Sequence, residues 1–410
     1  EVKPFVKDYG MVIVDECHHV SSVCFEQVLR QVTATFVYGL TATPIRKDGH
    51  QPIIFMQCGK IRFTSDAKSQ MENQGFKRLL IPRFTSFRSI TSDRKTYVQI
   101  TQELSEDKVR NEFVMEDVKA AIQKGRTPLV LTTRTAHVKV LAQMLMPFAD
   151  HVIQLIGADS AKEKRLALQN LQSIPTSESL VIVATGKYVG EGFDYPRLDT
   201  LFLTMPIAWK GNVEQYAGRL HRECEGKSEV CIYDYVDIRV PLCDSMYRKR
   251  LKGYIKAGYG KNVTSPAPDK NSQELIYEQN NYEAAFRNDL AKAKHSVVIA
   301  VPKVKFKYKP SIMSALANLL HDGVSVVVHV KEEGANETEL SNAGMDVVCN
   351  KEQTLQCAII DKSIVWYGNI NFFGYNSETN NVMRITDYKI ANEMMEILYS
   401  ATENKANETR

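Results

Sequence analysis

The sequence predicts an α/β protein whose sheets are mainly parallel, and three observations carry that prediction. Short apolar or β-branched runs alternate with helical stretches from the start to about residue 260: Met11–Val14, Phe36–Leu40, Leu129–Thr132, Val152–Leu155, Leu180–Val183 and Thr200–Leu203. Strands that are apolar throughout, and not merely at every second position, belong to parallel sheets covered on both faces. Composition is that of an ordinary globular chain, with 44% hydrophobic and 24% charged residues, 21 Gly and 14 Pro, which excludes collagen-like, mucin-like and disordered classes. At roughly 150 residues per domain, 410 residues make two or three domains, each able to bury a core.

Taken in order, the first strands and helices give way over residues 57–110 to a stretch of mixed charge without a long period. It contains Ile81-Pro-Arg-Phe-Thr-Ser-Phe-Arg88 and reads as a connection between two α/β units. The strand and helix alternation then resumes over 111–262. Residues 263–273 are rich in Pro, Ser and Asn, a linker composition. A third domain is expected over 274–410, with helices at Tyr282–Ala293 and Ser311–Leu320 and strands at Ser296–Val301 and Val324–Val330. A hairpin joining Ala358–Asp361 to Ile364–Tyr367 completes it. Residue 1 is Glu and strand-like sequence follows almost at once, so the 410 residues are expected to be a fragment, with domain one cut short.

Charge is nearly balanced, 52 Lys and Arg against 48 Asp and Glu for a net +4, so nucleic-acid contact would have to come from local clusters. No apolar run approaches the ~18 residues that a bilayer-spanning helix needs, and mean hydropathy is −0.27. No membrane role is expected. The eight cysteines form no C-x-x-C pair and are expected to be reduced thiols in a cytoplasmic protein.

Several segments carry chemistry. Val12-Ile-Val-Asp-Glu-Cys-His-His19 is a strand ending in two adjacent carboxylates, and ligands of α/β sheets bind at the carboxyl ends of strands. There Asp15 can hold a magnesium ion while Glu16 orients or deprotonates an attacking water. A strand running into a polar loop is the plainer alternative. His18 and His19 are adjacent and lack the i, i+4 spacing of a zinc protease helix. In Gly39-Leu-Thr-Ala-Thr-Pro44, Thr41 and Thr43 place hydroxyls in a turn where they can bond the preceding carboxylates and sense magnesium or a γ-phosphate. Gly190 and Gly192 permit close approach of backbone to phosphate, and Glu191 and Asp194 offer acceptors to a ribose or a neighbouring arginine. Gln215-Tyr-Ala-Gly-Arg-Leu-His-Arg222 reads as helical, with Arg219 and Arg222 three apart and so on one face. A solvated basic face is the alternative.

These four segments, in this order, resemble motifs II, III, V and VI of superfamily 2 helicases, most closely the excision-repair XPB-like group and the helicase subunits of restriction and defence systems. The resemblance spans residues 9–260 and implies RecA-like domains, ATP and magnesium as cofactors, and a nucleotide between Asp15-Glu16 and the arginine fingers Arg219 and Arg222. It makes Thr41, Thr43, Gly190, Glu191, Gly192, Asp194 and Gln215 nucleotide-site residues. Thr133 and Arg134, in a segment similar to motif IV, and Thr185, ahead of motif V, would contact nucleic acid. It also implies DNA as the track, with partner subunits of a repair or restriction/defence system.

Two departures matter. The phosphate-binding run G-x-x-x-x-G-K-[ST] does not occur ahead of Asp15, where only 14 residues stand; the chain alone is therefore expected to bind ATP poorly and to be inactive. In the third domain, Ala358-Ile-Ile-Asp-Lys-Ser-Ile-Val-Trp-Tyr-Gly-Asn-Ile-Asn371 resembles the phospholipase D signature, and the resemblance implies a phospholipase D-like α/β domain. Asp361 and Asn371 match, but Thr354 and Gln356 stand where the nucleophilic histidine and the lysine belong. Without the imidazole no covalent phosphohistidine forms, and this domain is expected to be catalytically dead. The alternating Lys303, Lys305, Lys307 and Lys309 would share one face of a strand and meet phosphates; an edge strand guarded by lysine reads equally well. A competing class for the whole chain is a non-enzymatic nucleic-acid-binding or assembly module.

Overall fold

The computed structural model describes residues 2–17, 23–41, 51–64, 77–89, 95–157, 161–190, 193–207, 212–259, 276–305, 309–331, 334–351, 355–377 and 380–408. The chain divides into two compact units, Glu1–Gln70 and Met71–Arg410.

In the first unit, β1 (Met11–Val14) pairs in parallel with β2 (Phe36–Gly39), Val14 opposite Gly39. Helices α1 (Val23–Leu29) and α2 (Gln51–Cys58) accompany them. Val14, Cys17 and Ile54 form its small core, with Val12, Leu29, Val37 and Cys58 packed around it. The expectation of strands buried on both faces is not met here: Met11, Ile13, Phe36 and Tyr38 are exposed within this unit, because two strands cannot cover both of their faces.

The second unit holds two sheets. The first has six strands, all parallel, in the order β3-β8-β7-β4-β6-β5. These are β3 (Lys77–Phe84), β4 (Pro128–Thr132), β5 (His151–Leu155), β6 (Leu180–Thr185), β7 (Thr200–Leu203) and β8 (Glu229–Val236). The helices are α3 (Tyr97–Glu106), α4 (Lys108–Gln123), α5 (Thr135–Leu145), α6 (Ala161–Ser173), α7 (Gly186–Gly190), α8 (Asn212–Leu220) and α9 (Pro241–Lys256). Val130, Val181 and Val183 pack with Val118 of α4 and Leu141 of α5. On the other face Leu129, Leu131 and Ile182 pack with residues of α6, α8 and α9. Burial on both faces is what the apolar runs required. The stretch read as a connection contributes β3 to the sheet edge, a position that tolerates Pro82 because an edge strand need not donate every N–H.

The second sheet has seven strands in the order β12-β11-β10-β13-β14-β15-β9. They are β9 (Ile276–Glu278), β10 (Ser296–Ala300), β11 (Ser325–Val330), β12 (Asp346–Cys349), β13 (Cys357–Ile360), β14 (Ile364–Gly368) and β15 (Asn381–Thr386). The pairings among β10, β11 and β12 are parallel and the rest antiparallel. Around it stand α10 (Tyr282–Leu290), α11 (Pro310–His321), α12 (Ala335–Asn342) and α13 (Tyr388–Glu408). One face is closed by α10 and α11 around Trp366, whose indole donates to Asp289 at 2.9 Å, and Phe286. The other face runs into the core of the six-stranded sheet, because α9 lies against β8 of one sheet and β15 of the other. Tyr247 of α9 stacks on Tyr367 at 5.9 Å and donates to Met383 Sδ at 3.3 Å. Asp244 accepts from both Tyr367 and Arg248. Burial pushes its carboxyl up to about 6, with Arg248 opposing.

Candidate functional site at the ends of parallel strands

In the first unit the parallel register carries the end of β1 and the end of β2 to the same side. Leu40 N–H donates to Val14 O and Cys17 N–H to Leu40 O, both at 2.9 Å. A Cβ at Gly39 would come to 2.9 Å from Cys17 Sγ and from Cys58 Cβ, so only glycine lets β2 close on this corner. Asp15 is exposed, and its Oδ1 accepts the Glu16 N–H at 2.9 Å. Glu16 has φ of 48°, a left-handed conformation that a non-glycine residue adopts at a cost and that recurs at working sites. Thr41 follows β2, half-buried; Thr43 lies outside the described residues. Burial raises the Cys17 thiol and pushes the Cys58 thiol up to about 11. No group of three or more His, Cys, Asp or Glu able to hold a metal occurs among the described residues. The donor set of hard carboxylate oxygens still fits magnesium, which takes one or two carboxylates and completes its shell with phosphate and water.

In the second unit the corresponding sheet end gathers several predicted residues. Thr133, exposed, and Arg134, half-buried, follow β4. Thr185 ends β6, buried, its Oγ1 accepting the Gly157 N–H at 2.9 Å. A side chain at Gly186 would run into the Tyr216 hydroxyl, so the turn after β6 and helix α8 meet closely. Together Tyr97, Thr133, Thr185, Gly186, Lys187 and Tyr216, with Ile207 and Met246, line a cavity of 420 Å³. Gly190 ends α7; Glu191 and Gly192 lie outside the described residues.

Asp194 and Arg222 meet, Arg222 Nε donating to Asp194 Oδ1 at 3.2 Å. Gln215 and Arg219 both lie on α8, half-buried. The expectation that Arg219 and Arg222 share a helix face is corrected: α8 ends at Leu220 and Arg222 stands in the following turn. The intervening His221 explains the break. Its ring stacks on Tyr259 and its Nε2 lies 2.9 Å from the Tyr259 hydroxyl. Burial first, then Arg78 and Lys227, lowers its pKa to about 3, so it stays neutral.

Sequence reasoning missed two residues here. Lys227 donates from Nζ to Arg222 O at 2.7 Å, Leu220 O at 3.1 Å and Pro196 O at 2.5 Å, which ties the Arg222 turn to the segment just after Asp194. Its only sequence signal is the Gly226-Lys227 turn, where Gly226 has φ of 80°. Tyr97 comes from α3, outside every motif, and has no signal. Helix α9 carries the basic run Tyr247-Arg-Lys-Arg-Leu-Lys252, and part of its charge is internal. Arg250 is buried and forms a two-pronged pair with Asp234 at 2.9 and 2.8 Å, and Arg248 pairs with Asp244.

In the seven-stranded domain the predicted residues do not assemble into one site. Asp361 has φ of 48° in the β13–β14 turn and accepts the N–H groups of Lys294, His295 and Ser296 at 2.8, 2.8 and 3.0 Å. Burial opposes ionisation, but these amides outweigh it and hold the carboxyl below its usual range. Gln356 and Asn371 stand at the opposite end of β13. The Gln356 main-chain carbonyl accepts from Gly368 N–H, while Asn371 Oδ1 accepts from Phe373 N–H at 2.9 Å and Nδ2 donates to Lys303 O at 3.0 Å. Thr354 and Lys307 lie outside the described residues. The strand expected over 303–309 is not formed at Lys303–Lys305: Val304 is buried, its N–H bonding Glu337 at 3.2 Å, and Lys305 N–H bonds Phe373 O. Lys309 turns inward to Glu283 at 2.8 Å.

A model of the family "Type III restriction enzyme, res subunit" matches residues 3–46. A putative helicase of Sulfolobus islandicus filamentous virus is 25% identical over 255 residues, 58% of this chain and 44% of the relative. Another, of Invertebrate iridescent virus 6, is 25% identical over 264 residues, 62% of this chain and 57% of the relative. The chain is thus similar in sequence to superfamily 2 helicases and restriction-type ATPases. It spans about half the length of the curated helicases it matches. Among solved structures, Nuc of Salmonella typhimurium, a phospholipase D family member, is similar over 31% of this chain and 91% of its own, at 21% identity and a TM-score of 0.28. No described helix of the chain is long and apolar enough to cross a membrane.

Proposed function

We propose that the chain is the C-terminal portion of a nucleic-acid-dependent ATPase, a helicase or translocase working on DNA, whose phosphate-binding loop comes from sequence outside these 410 residues. The observation that carries this reading is the meeting of Asp194 and Arg222, with Lys227 fastening the Arg222 turn to the segment beyond Asp194. An arginine that acts on phosphate has to be presented ready and released readily. Arg222 and Asp194 are both well exposed, and exposed pairs contribute only about 0–1 kcal/mol, so Arg222 can exchange the carboxylate for a phosphate at little cost. Arg219, on the last turn of α8, supplies the second guanidinium.

In this reading Asp15 holds the metal and the strained backbone at Glu16 aims its carboxylate at the attacking water, with Thr41 and Thr43 beside them and Gln215, Gly190, Glu191 and Gly192 on the nucleotide. Magnesium bound with ATP supplies neutralisation of the developing phosphate charge. Thr133, Arg134 and Thr185 face the nucleic acid, with Lys303 and Lys305 a second contact. Thr354 and Gln356 leave the phospholipase D-like domain without its chemistry. A cytoplasmic repair or restriction/defence assembly is the setting.

On the 410-residue chain, magnesium-ATP should shift the melting temperature little; a large stabilising shift would refute the externally supplied loop. In the longer protein, Arg222→Ala should lower nucleic-acid-stimulated turnover by about 10³-fold. Unchanged turnover would leave the assembly-module alternative standing.

A further inference from the structure

We propose that the 420 Å³ cavity at the ends of β4 and β6 receives one base of single-stranded nucleic acid, stacked against Tyr97. This rests on the nucleic-acid reading above and adds to it a base contact from outside the helicase motifs. The volume suits a single base, within the lower range of ligand pockets. Its lining is of the right kind: two aromatic rings, two threonines, a lysine, and Ile207 with Met246 as the apolar part. Stacking on aromatic side chains is how single strands are held without regard to sequence.

Tyr97 is prepared for that role. The Thr96–Gln99 capping box fixes the first turn of α3, and the Tyr97 hydroxyl donates to Pro206 O at 2.8 Å. Both ends of the side chain are therefore tethered while the residue remains 37% exposed, so little rotamer freedom is lost when a base arrives. Lys187 is exposed at the same cavity, its stem against Gly157, placed for the adjoining phosphate. Tyr216 on the facing wall belongs to α8, three residues ahead of Arg219. A base seated there bears on the helix that presents a catalytic arginine, which gives nucleic acid a direct mechanical route to the nucleotide chemistry.

The test is fluorescence anisotropy of the 410-residue chain with oligo-dT and oligo-rU of about 15 nucleotides, plus versions carrying 2-aminopurine. Tyr97→Ala should weaken binding by about tenfold or more and abolish 2-aminopurine quenching, whereas Tyr97→Phe, which keeps the ring and loses the bond to Pro206, should retain both. Lys187→Ala should lower the salt slope by about one. Equal binding by wild type and Tyr97→Ala overturns the proposal, as does a Phe variant that fails like Ala, since the hydroxyl bond and not the ring would then matter. If wild type binds neither oligonucleotide, the nucleic-acid reading itself is lost. Whichever oligonucleotide binds more tightly identifies DNA or RNA as the track.

Discussion

The two sheets of the second unit end differently, although the sequence singles out candidate site residues on both. At the end of the six-stranded parallel sheet, Thr133, Lys187 and Tyr97 face a cavity. Around the seven-stranded sheet, Asn371, Asn376, Asn369 and Asp361 are turned on the protein itself. Asn371 spans Phe373 and Lys303, Asn376 Nδ2 donates to Asn371 O at 2.9 Å, Asn369 Oδ1 accepts from Asn381 at 2.7 Å, and Asp361 collects three amides. A motif residue marks a site where its polar atoms face a space for a ligand. Where they close turns, the same residue is architecture.

Acidification should move the whole unit most. His137, which sits under the open end between Thr132 at 2.8 Å and Asn111 at 2.9 Å, has its pKa lowered to about 3 by burial and nearby arginines. His221 is likewise lowered to about 3, and His329 of the seven-stranded sheet to about 4, in both cases mainly by burial. Each binds its proton in the unfolded chain below pH ~6.5 but not in the fold, so stability falls as pH drops through that value. Asp244, raised to about 6, runs the other way: the fold binds its proton first, and that contribution is lost as pH rises through 6. Three groups against one should lower stability by on the order of several kcal/mol between pH 7 and 5, read from urea midpoints. A flat profile would show that these imidazoles are not held neutral.

The next effect separates the two sheet ends. Asn371→Ala strips two side-chain bonds from the closed end and should cost about 1–3 kcal/mol while leaving oligonucleotide affinity unchanged. Weakened binding without loss of stability would make the closed end a working site. The smallest effect is the converse: Thr133→Ala, exposed at the open end, should change stability by less than about 0.5 kcal/mol yet lower oligonucleotide affinity severalfold. If it alters stability and not binding, the open end is architecture too.

How much of this was written in the sequence depended on what each residue does. Leu129–Leu131 and Leu180–Val183 are buried on both faces, so their strands appear as uninterrupted apolar runs. Strand β3 hid because an edge position admits Lys77, Arg78, Pro82 and Arg83. Asp15, Glu16, Asp194 and Arg222 are legible as motif chemistry, but the helix end that sets Arg222 apart from Arg219 depends on His221 finding Tyr259, 38 residues away. Lys303–Lys309 looked like a strand because alternation alone does not reveal that Val304 is anchored in a core. Tyr97 was illegible for the opposite reason: nothing local distinguishes it, and only the fold carries it to the cavity.

Helix α9 has a further consequence. Its flank of Tyr247, Leu251 and Tyr254 belongs to a core that also includes Val365, Tyr367 and Met383, so neither sheet owns that surface. A sheet held in this way covers apolar surface of its neighbour, whatever its own strand ends do. A loss at Tyr367 or Met383 therefore wets the core of the six-stranded sheet as well as that of its neighbour. The two sheets should accordingly unfold as one cooperative unit.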